Sequence, residues 1–249
     1  MIEAKNLYKR FGPVQAVNGV SFVAQDGAVT GLLGPNGAGK TTTLRMLYTL
    51  MQPDQGQIVI DGRDAASDPL AARRTLGVLP DARGLYKRLS ARENIEYYAQ
   101  LQGLSKDITQ QRIAQLSATL GMQEFIDRRT EGFSQGQRVK TAIARALIHN
   151  PRNIILDEPT NGLDVMATRS LRDFIKQLKA DGHCVLFSSH IMQEVAALCD
   201  HIVIIAHGRV VAQGSADELR MQSQCDNLED AFVALLDDKT SIGNQAGLS

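Results

Sequence analysis

The chain has no surplus of either charge, because its 27 lysines and arginines balance 27 aspartates and glutamates. A neutral total gives no reason to expect a nucleic-acid partner, although a local basic patch could lie within it. The longest apolar runs, such as residues 202–206, fall far short of the roughly 18 residues that a membrane span needs. The first five residues contain no apolar signal core. We therefore expect a protein that is made in the cytosol and stays there.

Cysteine is scarce, with three residues at positions 184, 199 and 225 and no C-x-x-C pair. The odd number and the wide spacing argue against a disulfide framework and against a zinc site. We expect free thiols in a reducing compartment. The shares of hydrophobic residues (43%) and charged residues (22%) are those of an ordinary soluble globular protein. Any indication of function must therefore come from local motifs.

The first such motif is glycine-rich and matches G-x-x-x-x-G-K-[ST]. Its glycines allow a sharp turn in which successive backbone N–H groups point at a polyphosphate. Lys40 would reach the β- and γ-phosphates, and the Thr41 hydroxyl would bind Mg²⁺. The alternative is a glycine-rich turn before a helix. We predict a nucleoside triphosphate site at this loop. The candidate nucleotide-binding residues here are Gly34, Pro35, Asn36, Gly37, Ala38, Gly39, Lys40, Thr41 and Thr42.

The residues on either side of the loop give this motif the context that it needs. Residues 29–33 are a short apolar run, as expected of a buried strand. After the loop, Leu44, Leu47 and Leu50 recur at helical spacing until Pro53 ends the pattern. Strand, glycine loop and helix in this order favour a phosphate-binding loop.

Two stretches, about 1–88 and 149–214, contain alternating strand and helix patterns. This alternation predicts an α/β nucleotide core with a largely parallel sheet and helices on its faces. Short strands at 2–7 and 20–24 are expected to form an antiparallel layer ahead of it.

The remaining stretches are helical or irregular in pattern. Residues 89–148 carry three helix patterns separated by glycines, which predicts a helical insert. An amphipathic stretch within 215–236 predicts a C-terminal helical extension of the same single domain. Residues 237–249, rich in Gly, Ser, Asn and Gln towards their end, are expected to be disordered.

A second motif places two acids after an apolar run, 154–156. Ligands of parallel sheets bind at the carboxyl ends of strands, where Asp157 and Glu158 would lie. Asp157 suits a role at Mg²⁺, either directly or by holding one of its ligands, opposite Thr41. Glu158 is placed to polarise a water that attacks the γ-phosphate. The alternative is an acid pair that caps a helix before Pro159.

Five motifs in this order resemble the ATP-binding subunit of ABC transporters over about residues 1–214. The resemblance implies a P-loop NTPase (RecA-like) fold, with a mostly parallel sheet, an antiparallel β layer and a helical subdomain that carries the signature motif. It also implies ATP and Mg²⁺ as bound groups. Two subunits would sandwich two ATP head to tail, as a homodimer or a paired dimer. The motifs are the phosphate loop, Phe133-Ser134-Gln135-Gly136-Gln137, Ile154 to Thr160, Gly162-Leu163-Asp164 and Ser189-His190.

The resemblance assigns Ser134, Gly136 and Gln137 to the family's signature loop, whose serine and glycine amides contact the γ-phosphate of the partner's ATP. The loop precedes a helix pattern that starts near Gln137, and a helix N-terminus favours an anion. Gln135 replaces the family's usual first glycine, so that glycine's backbone freedom is lost. Taken alone, the string is also typical of an ordinary helix start.

The resemblance implies four further roles. His190 aligns with the histidine that bridges the γ-phosphate and Glu158, and Asp164 with a loop that communicates between the two sites. Phe11 lies where the family has an aromatic residue that stacks on adenine. Asp81 replaces a glutamine that touches Mg²⁺ and the attacking water; a carboxylate can accept a bond from Mg²⁺-bound water, but it adds negative charge. Packing roles are the alternatives for His190 and Phe11.

Within the family, the strings at 79–86, 133–140, 189–195 and 228–232 look like the bacterial NatA-type group, which is linked to sodium efflux with a NatB-type permease. The resemblance implies a separate integral membrane partner, faced by residues 81–86. The chain would bind peripherally at the cytoplasmic side of the inner membrane. A drug, a lipid or another cargo is the alternative to sodium. His149, His183, His201 and His207 match no motif and are expected at the surface or in the core.

Two other classes of protein remain as alternatives. A soluble ABC ATPase of translation or repair usually carries two cassettes or a long coiled coil between motifs, and neither is visible here. A phosphotransferase or a GTPase can use the same phosphate loop. However, the guanine-reading string Asn-Lys-x-Asp is absent from the sequence, and the signature motif would be unexplained.

Overall fold

The computed structural model describes residues 1–81 and 84–245. For residues 237–245 this description covers the backbone alone. Ten strands occur in the described part of the chain. In chain order they are β1 (Ile2–Phe11), β2 (Val14–Ala24), β3 (Val29–Leu33), β4 (Gln55–Ile60), β5 (Arg63–Asp64), β6 (Leu76–Leu79), β7 (Asn153–Asp157), β8 (Cys184–Ser189), β9 (His201–Ala206) and β10 (Arg209–Gly214).

The strands form two sheets. Six lie in the order β10-β9-β3-β8-β7-β6, and all neighbours in this sheet are parallel except β10, which is antiparallel to β9. Four lie in the antiparallel order β2-β1-β4-β5. Every residue of β3, β7 and β8 is buried, as expected of central parallel strands whose two faces are both covered. The predicted α/β fold, with a mostly parallel core and an antiparallel layer, is confirmed.

The parallel register determines where the loops of the large sheet lie. Leu33 at the end of β3 pairs with Ser189 at the end of β8, and Asp157 at the end of β7 pairs with Ser188. The carboxyl ends of three adjacent strands therefore share one edge. The phosphate loop, Glu158 and His190 follow these strands at that edge, and Asp157 is the last residue of β7.

The first two strands are longer than the sequence pattern predicts. They span ten and eleven residues, where runs of six and five were expected. The register between them shifts between Ala4 and Leu7, and Asn6 has a left-handed backbone with φ 49°. A bulge of this kind resets the alternation of buried and exposed residues, which hides the continuity of the strand.

Helices connect and cover the strands. In chain order they are α1 (Lys40–Leu47), α2 (Pro69–Arg74), α3 (Ala91–Leu101), α4 (Lys106–Leu120), α5 (Gln135–Leu147), α6 (Val165–Ala180), α7 (Met192–Leu198), α8 (Ala216–Ser223) and α9 (Leu228–Gln245).

The helices α3, α4 and α5 fall within the predicted helical insert, and each begins at a serine cap. The side chains of Ser90, Ser105 and Ser134 accept from backbone N–H groups three residues later. Ser134 and Gln137 bond reciprocally in a capping box, so α5 begins two residues before the start expected near Gln137.

The C-terminal extension consists of α8 and α9. The second helix runs to Gln245, so residues 237–245 are helical where the composition predicts a disordered tail. Extending an existing helix adds one hydrogen bond for each residue that is fixed, so polar composition is a poor guide to where a helix ends. Residues 246–249 lie outside the described part of the chain.

The described helices also bear on the expectation for membrane spans. None of them combines the length and the apolar character that crossing a bilayer requires.

All three cysteines are free, as predicted. Burial raises the pKa of the Cys184 thiol to about 11, and its Sγ donates to the carbonyl of Ala24 at 3.3 Å. This thiol therefore behaves as a core residue.

The close contact of β3 with α7 generates a stability prediction. A Cβ on Gly31 would lie 2.5 Å from Cys199 Sγ and 3.0 Å from Val195 Cγ1. Gly31→Ala should therefore lower the free energy of unfolding by about 1–3 kcal/mol through overpacking. The loss should be smaller in a Cys199→Ala background, where the sulfur is removed. Urea unfolding of the four proteins measures both effects, and equal losses in the two backgrounds would contradict the contact.

Candidate nucleotide site

The phosphate loop lies between β3 and α1. Gly39 is the N-cap of α1 with φ 105°, and it has no side chain to accept the N–H groups of the first turn. A Cβ on Gly39 would lie 2.5 Å from the carbonyl oxygen of Ala16, and one on Gly34 only 2.2 Å from that of Ile205. Close packing therefore requires both glycines. An anion at this helix start would satisfy the free N–H groups.

Lys40 supplies the positive charge of this loop. Its side chain is only 6% exposed, and its ammonium donates to the carbonyl oxygens of Gly34 at 2.7 Å and Pro35 at 3.2 Å. Glu158 Oε1 lies 3.6 Å from the same nitrogen. The ammonium is therefore held inside the turn of the loop, where a polyphosphate would also lie. These residues fit a nucleoside triphosphate.

A cavity of about 750 Å³ opens over the loop and brings ten of the predicted site residues together. Residues from the ends of several strands line it, as expected for a ligand site of an open parallel sheet. The predicted residues at its wall are Asn36, Gly37, Ala38, Gly39, Lys40, Thr41, Thr42, Asp81, Glu158 and His190.

Asp157 is buried at the end of β7 and does not line the cavity directly. Its Oδ1 accepts from Ser188 Oγ at 2.7 Å and lies 3.4 Å from Thr41 Oγ1. Burial raises the pKa of Asp157 above its ordinary value, against the effect of these two bonds. The neighbouring carboxylates of Asp81 and Glu158 act in the same direction as burial. A bound cation would relieve this electrostatic cost.

The hydroxyl of Thr41 and the carboxylate of Asp157 are oxygen donors of the kind that Mg²⁺ prefers. They are too few to form a metal site made of protein ligands alone. Within the described residues, no group of three or more His, Cys, Asp or Glu side chains is arranged to hold a metal. Mg²⁺ in nucleotide sites uses one or two protein oxygens, with phosphates and water completing the shell. The hydroxyl of Thr41 and the carboxylate of Asp157 are suited to that role, with Asp81 at the cavity wall.

Glu158 adopts a backbone conformation that is rare for its residue type. Its φ is 47°, and its N–H donates to Ser188 Oγ at 2.9 Å. Its carboxylate lies between two basic groups, 3.6 Å from Lys40 Nζ and 2.9 Å from His190 Nδ1. Strained backbone of this kind is found most often where a side chain must point at a reacting group. The geometry therefore supports a functional role for this acid.

The predicted signature residues lie away from this cavity. Ser134 and Gln137 are engaged in the capping box of α5, and Gly136 packs near Ala167. None of the three is among the described residues that line the cavity over the phosphate loop. Their contact with a nucleotide therefore stays a prediction.

Gln135, which stands in place of the family's glycine, is the first residue of α5 and contacts the loop that precedes α6. Its side chain lies over Gly162, and its Nε2 donates to the carbonyl of Asn161 at 3.4 Å. Asp164, two residues beyond that glycine, caps α6 by accepting from Ala167 N–H at 2.8 Å. Gln135 has helical backbone, so the lost glycine imposes no strain on this loop.

Phe11 lies on the hairpin that contributes residues to the nucleotide cavity, but it does not line the cavity itself. It ends β1, is 47% exposed and has Lys9 Nζ at 6.0 Å from its ring centroid. Val14, Gln15 and Ala16 line the cavity from this hairpin instead. The stacking role of Phe11 stays a prediction.

Ser188 and His207 are among the site residues that sequence reasoning missed. Ser188 bonds both Asp157 and the backbone of Glu158, and His207 lines the cavity. His207 directly follows β9, the other parallel neighbour of β3. A search for polar residues after every predicted parallel strand would have found it. The identity of Ser188 carries no such signal, because its contacts depend on strand register.

Comparison with known proteins agrees with this geometry. The sequence model for the ABC transporter family matches residues 17–161. The ABC transporter ATP-binding protein NatA of Bacillus subtilis (strain 168) is 45% identical over 224 residues, which are 90% of this chain and 91% of that protein. The linearmycin resistance ATP-binding protein LnrL of the same organism is 36% identical, over 88% of this chain and 70% of that protein. The chain belongs to the ABC transporter family, as an ATP-binding subunit.

Solved structures agree with this assignment. An ATP-binding subunit of an ABC transporter superposes with a TM-score of 0.87 at 32% identity, over 95% of this chain and 99% of that one. A dimeric ATP-binding cassette in a post-hydrolysis state with ADP and Pi superposes with a TM-score of 0.78 at 26% identity, over 86% of this chain and 98% of that one. The chain is accordingly an ATPase.

The buried acid at the end of β7 generates a pH prediction. Because the pKa of Asp157 is raised in the folded protein, the folded state binds more protons than the unfolded state above the ordinary carboxyl pKa of about 3.9. The free energy of unfolding then falls as the pH rises through that window. Asp157→Asn removes this dependence, so its stability relative to wild type should increase with pH. Urea unfolding at several pH values measures the difference, and a constant difference would contradict it.

Proposed function

We propose that the cavity over the phosphate loop hydrolyses ATP with Glu158 as the residue that polarises the attacking water. The observation that carries this proposal is the position of its carboxylate, between Lys40 and His190 at the wall of one cavity. Lys40 would hold the β- and γ-phosphates, and His190 would bond the γ-phosphate and orient the acid. A general base of this kind typically contributes 10²–10⁴-fold to the rate.

In the proposed site, Mg²⁺ would be held by Thr41 and Asp157, with Asp81 accepting from its bound water. When bound, the cation would neutralise the charge of the triphosphate. The hydroxyl and the carboxylate lie 3.4 Å apart, close enough to share one ion. The first-turn N–H groups of α1, uncapped at Gly39, would bind the phosphate oxygens.

We also propose that two subunits face each other head to tail in the ATP-bound state. Ser134 and Gly136 would then contact the nucleotide bound by the partner, which accounts for their distance from their own cavity. A structural relative of this chain is described as dimeric. The Asp164 loop would lie near this contact and connect the two sites.

The transporter that we propose is a sodium exporter with a separately encoded, NatB-like permease. The support is the similarity to NatA, which extends over nine-tenths of both chains. The region 81–86 would face the permease at the cytoplasmic side of the inner membrane; of this region, residues 82 and 83 lie outside the described residues. Tyr86 is 48% exposed and meets Tyr97 edge to face, which gives this surface an aromatic contact.

A second cargo class is favoured by a specific observation. The LnrL protein confers resistance to linearmycin, as its name states, and it is 36% identical to this chain. Export of a drug or lipid by the same ATPase is therefore the alternative to sodium export. Both alternatives leave the proposed chemistry of the cavity unchanged.

Two substitutions separate binding from hydrolysis. Lys40→Ala should abolish ATP hydrolysis, because it removes the cation that positions the triphosphate. Glu158→Gln should keep ATP binding and lower kcat by about 10²–10⁴-fold, since only the polarising carboxylate changes. Its ATP-bound dimer should persist long enough for size-exclusion chromatography. Steady-state ATPase assays of both variants measure the effect, and activity within a few fold of wild type would refute the assigned roles.

Sodium export has its own test. Cells of a sodium-sensitive bacterium that express this chain with its permease should grow in high Na⁺, whereas Glu158→Gln should not restore growth. Inverted vesicles should accumulate radioactive sodium only with ATP and both subunits. ATP-driven movement of a drug or lipid with no sodium transport would refute the sodium cargo. The proposed hydrolytic roles would survive that result.

A further inference from the structure

The carboxylate of Glu194 is buried close to the site but has no role in the proposed chemistry. Glu194, in the first turn of α7, is 3% exposed. Among the described residues, no lysine or arginine forms an ion pair with it. Burying a carboxylate without a cation is costly unless hydrogen bonds compensate. Its hydrogen bonds therefore indicate what the residue does.

Glu194 Oε2 accepts from two hydroxyls, one in the loop after β7 and one at the end of β8. Thr160 Oγ1 donates at 2.6 Å, and Ser189 Oγ donates at 3.2 Å. Ser189 Oγ also accepts from the N–H of Ile191 at 2.9 Å. Both hydroxyl-bearing residues are buried, at 5% and 0% exposure, so water does not compete for these bonds.

These two segments also carry Glu158 and His190, which contact each other. Thr160 lies two residues after Glu158, and Ser189 directly precedes His190. The contact between Glu158 and His190 is 2.9 Å long, but the histidine side chain is 42% exposed. Exposed pairs of this kind contribute little to holding two chain segments together. Buried hydrogen bonds to a carboxylate contribute more.

We propose that Glu194 is a positioning residue that joins the loop after β7, through Thr160, to the junction of β8 and α7, through Ser189. It thereby keeps Glu158 and His190 in register. Ser188 connects the same segments at the strand ends, through the carboxylate of Asp157 and the N–H of Glu158. Glu194 forms the second connection, beyond the reacting groups. This inference rests on the roles proposed for Glu158 and His190.

A purely structural role for Glu194 makes a different prediction. An acid in the first turn of a helix stabilises that helix, and its loss would lower stability alone. A positioning role instead predicts a loss in kcat with little change in KM, because the alignment of the reacting groups is disturbed while the phosphate loop is unchanged.

The test compares two substitutions in the purified full-length chain. Glu194→Gln retains a carbonyl oxygen that accepts both hydroxyls, so kcat should stay within about threefold of wild type. Glu194→Leu has similar volume but no acceptor, so kcat should fall by roughly 10–100-fold with KM for ATP nearly unchanged. Wild-type kcat in Glu194→Leu, or equal losses in both variants, would overturn the proposal.

Thr160→Val provides a second route if Glu194→Leu does not fold. It removes one of the two donors while it keeps the volume, and kcat should fall by roughly three- to tenfold at constant KM. In that case, wild-type kcat in Thr160→Val would overturn the proposal. Glu158→Gln serves as the reference in the same assay. If it remains active, the role of Glu158 fails; if it is inactive while the Glu194 and Thr160 variants are unaffected, only the positioning role fails.

Discussion

The parallel register of β3, β7 and β8 is the constraint on which the rest of the site depends. It places the phosphate loop, the two acids and His190 at one edge of the sheet. A slip of one residue between β7 and β8 would turn Asp157 to the opposite face, away from Ser188 and Thr41. The buried apolar faces of these strands resist such a slip. The hydrophobic core therefore sets the geometry of the polar site.

Charge burial is the main cost of this arrangement. Asp157 and Glu194 are both nearly inaccessible to water, and hydroxyl groups rather than cations satisfy them in the described structure. At Asp157 a bound cation would offset the cost, whereas at Glu194 the hydrogen bonds are the permanent partners. In the roles that we propose, the two acids illustrate two uses of a buried carboxylate: Asp157 would help to hold a cation, and Glu194 would position two chain segments.

The parts of the site that depend on neighbouring residues could be predicted from the sequence. The glycines and Lys40 form one local turn, and Asp157 and Glu158 directly follow an apolar strand. The contacts of Ser188 and Glu194 could not be predicted, because strand pairing brings together residues some thirty positions apart. In the fold, the bulge at Asn6 hid the length of β1. Composition suggested disorder in a stretch that continues α9 as helix.

The separation of Ser134 from its own subunit's phosphate loop has a genetic consequence. In the facing pair that we propose, each nucleotide would be enclosed by the Lys40 of one copy and the Ser134 of the other. A pair formed from one copy defective at Lys40 and one defective at Ser134 would contain one doubly damaged chamber and one intact chamber. Two alleles that are each inactive alone would then complement each other when they are expressed together. Complementation of this kind reports the head-to-tail arrangement without any structure of the assembly.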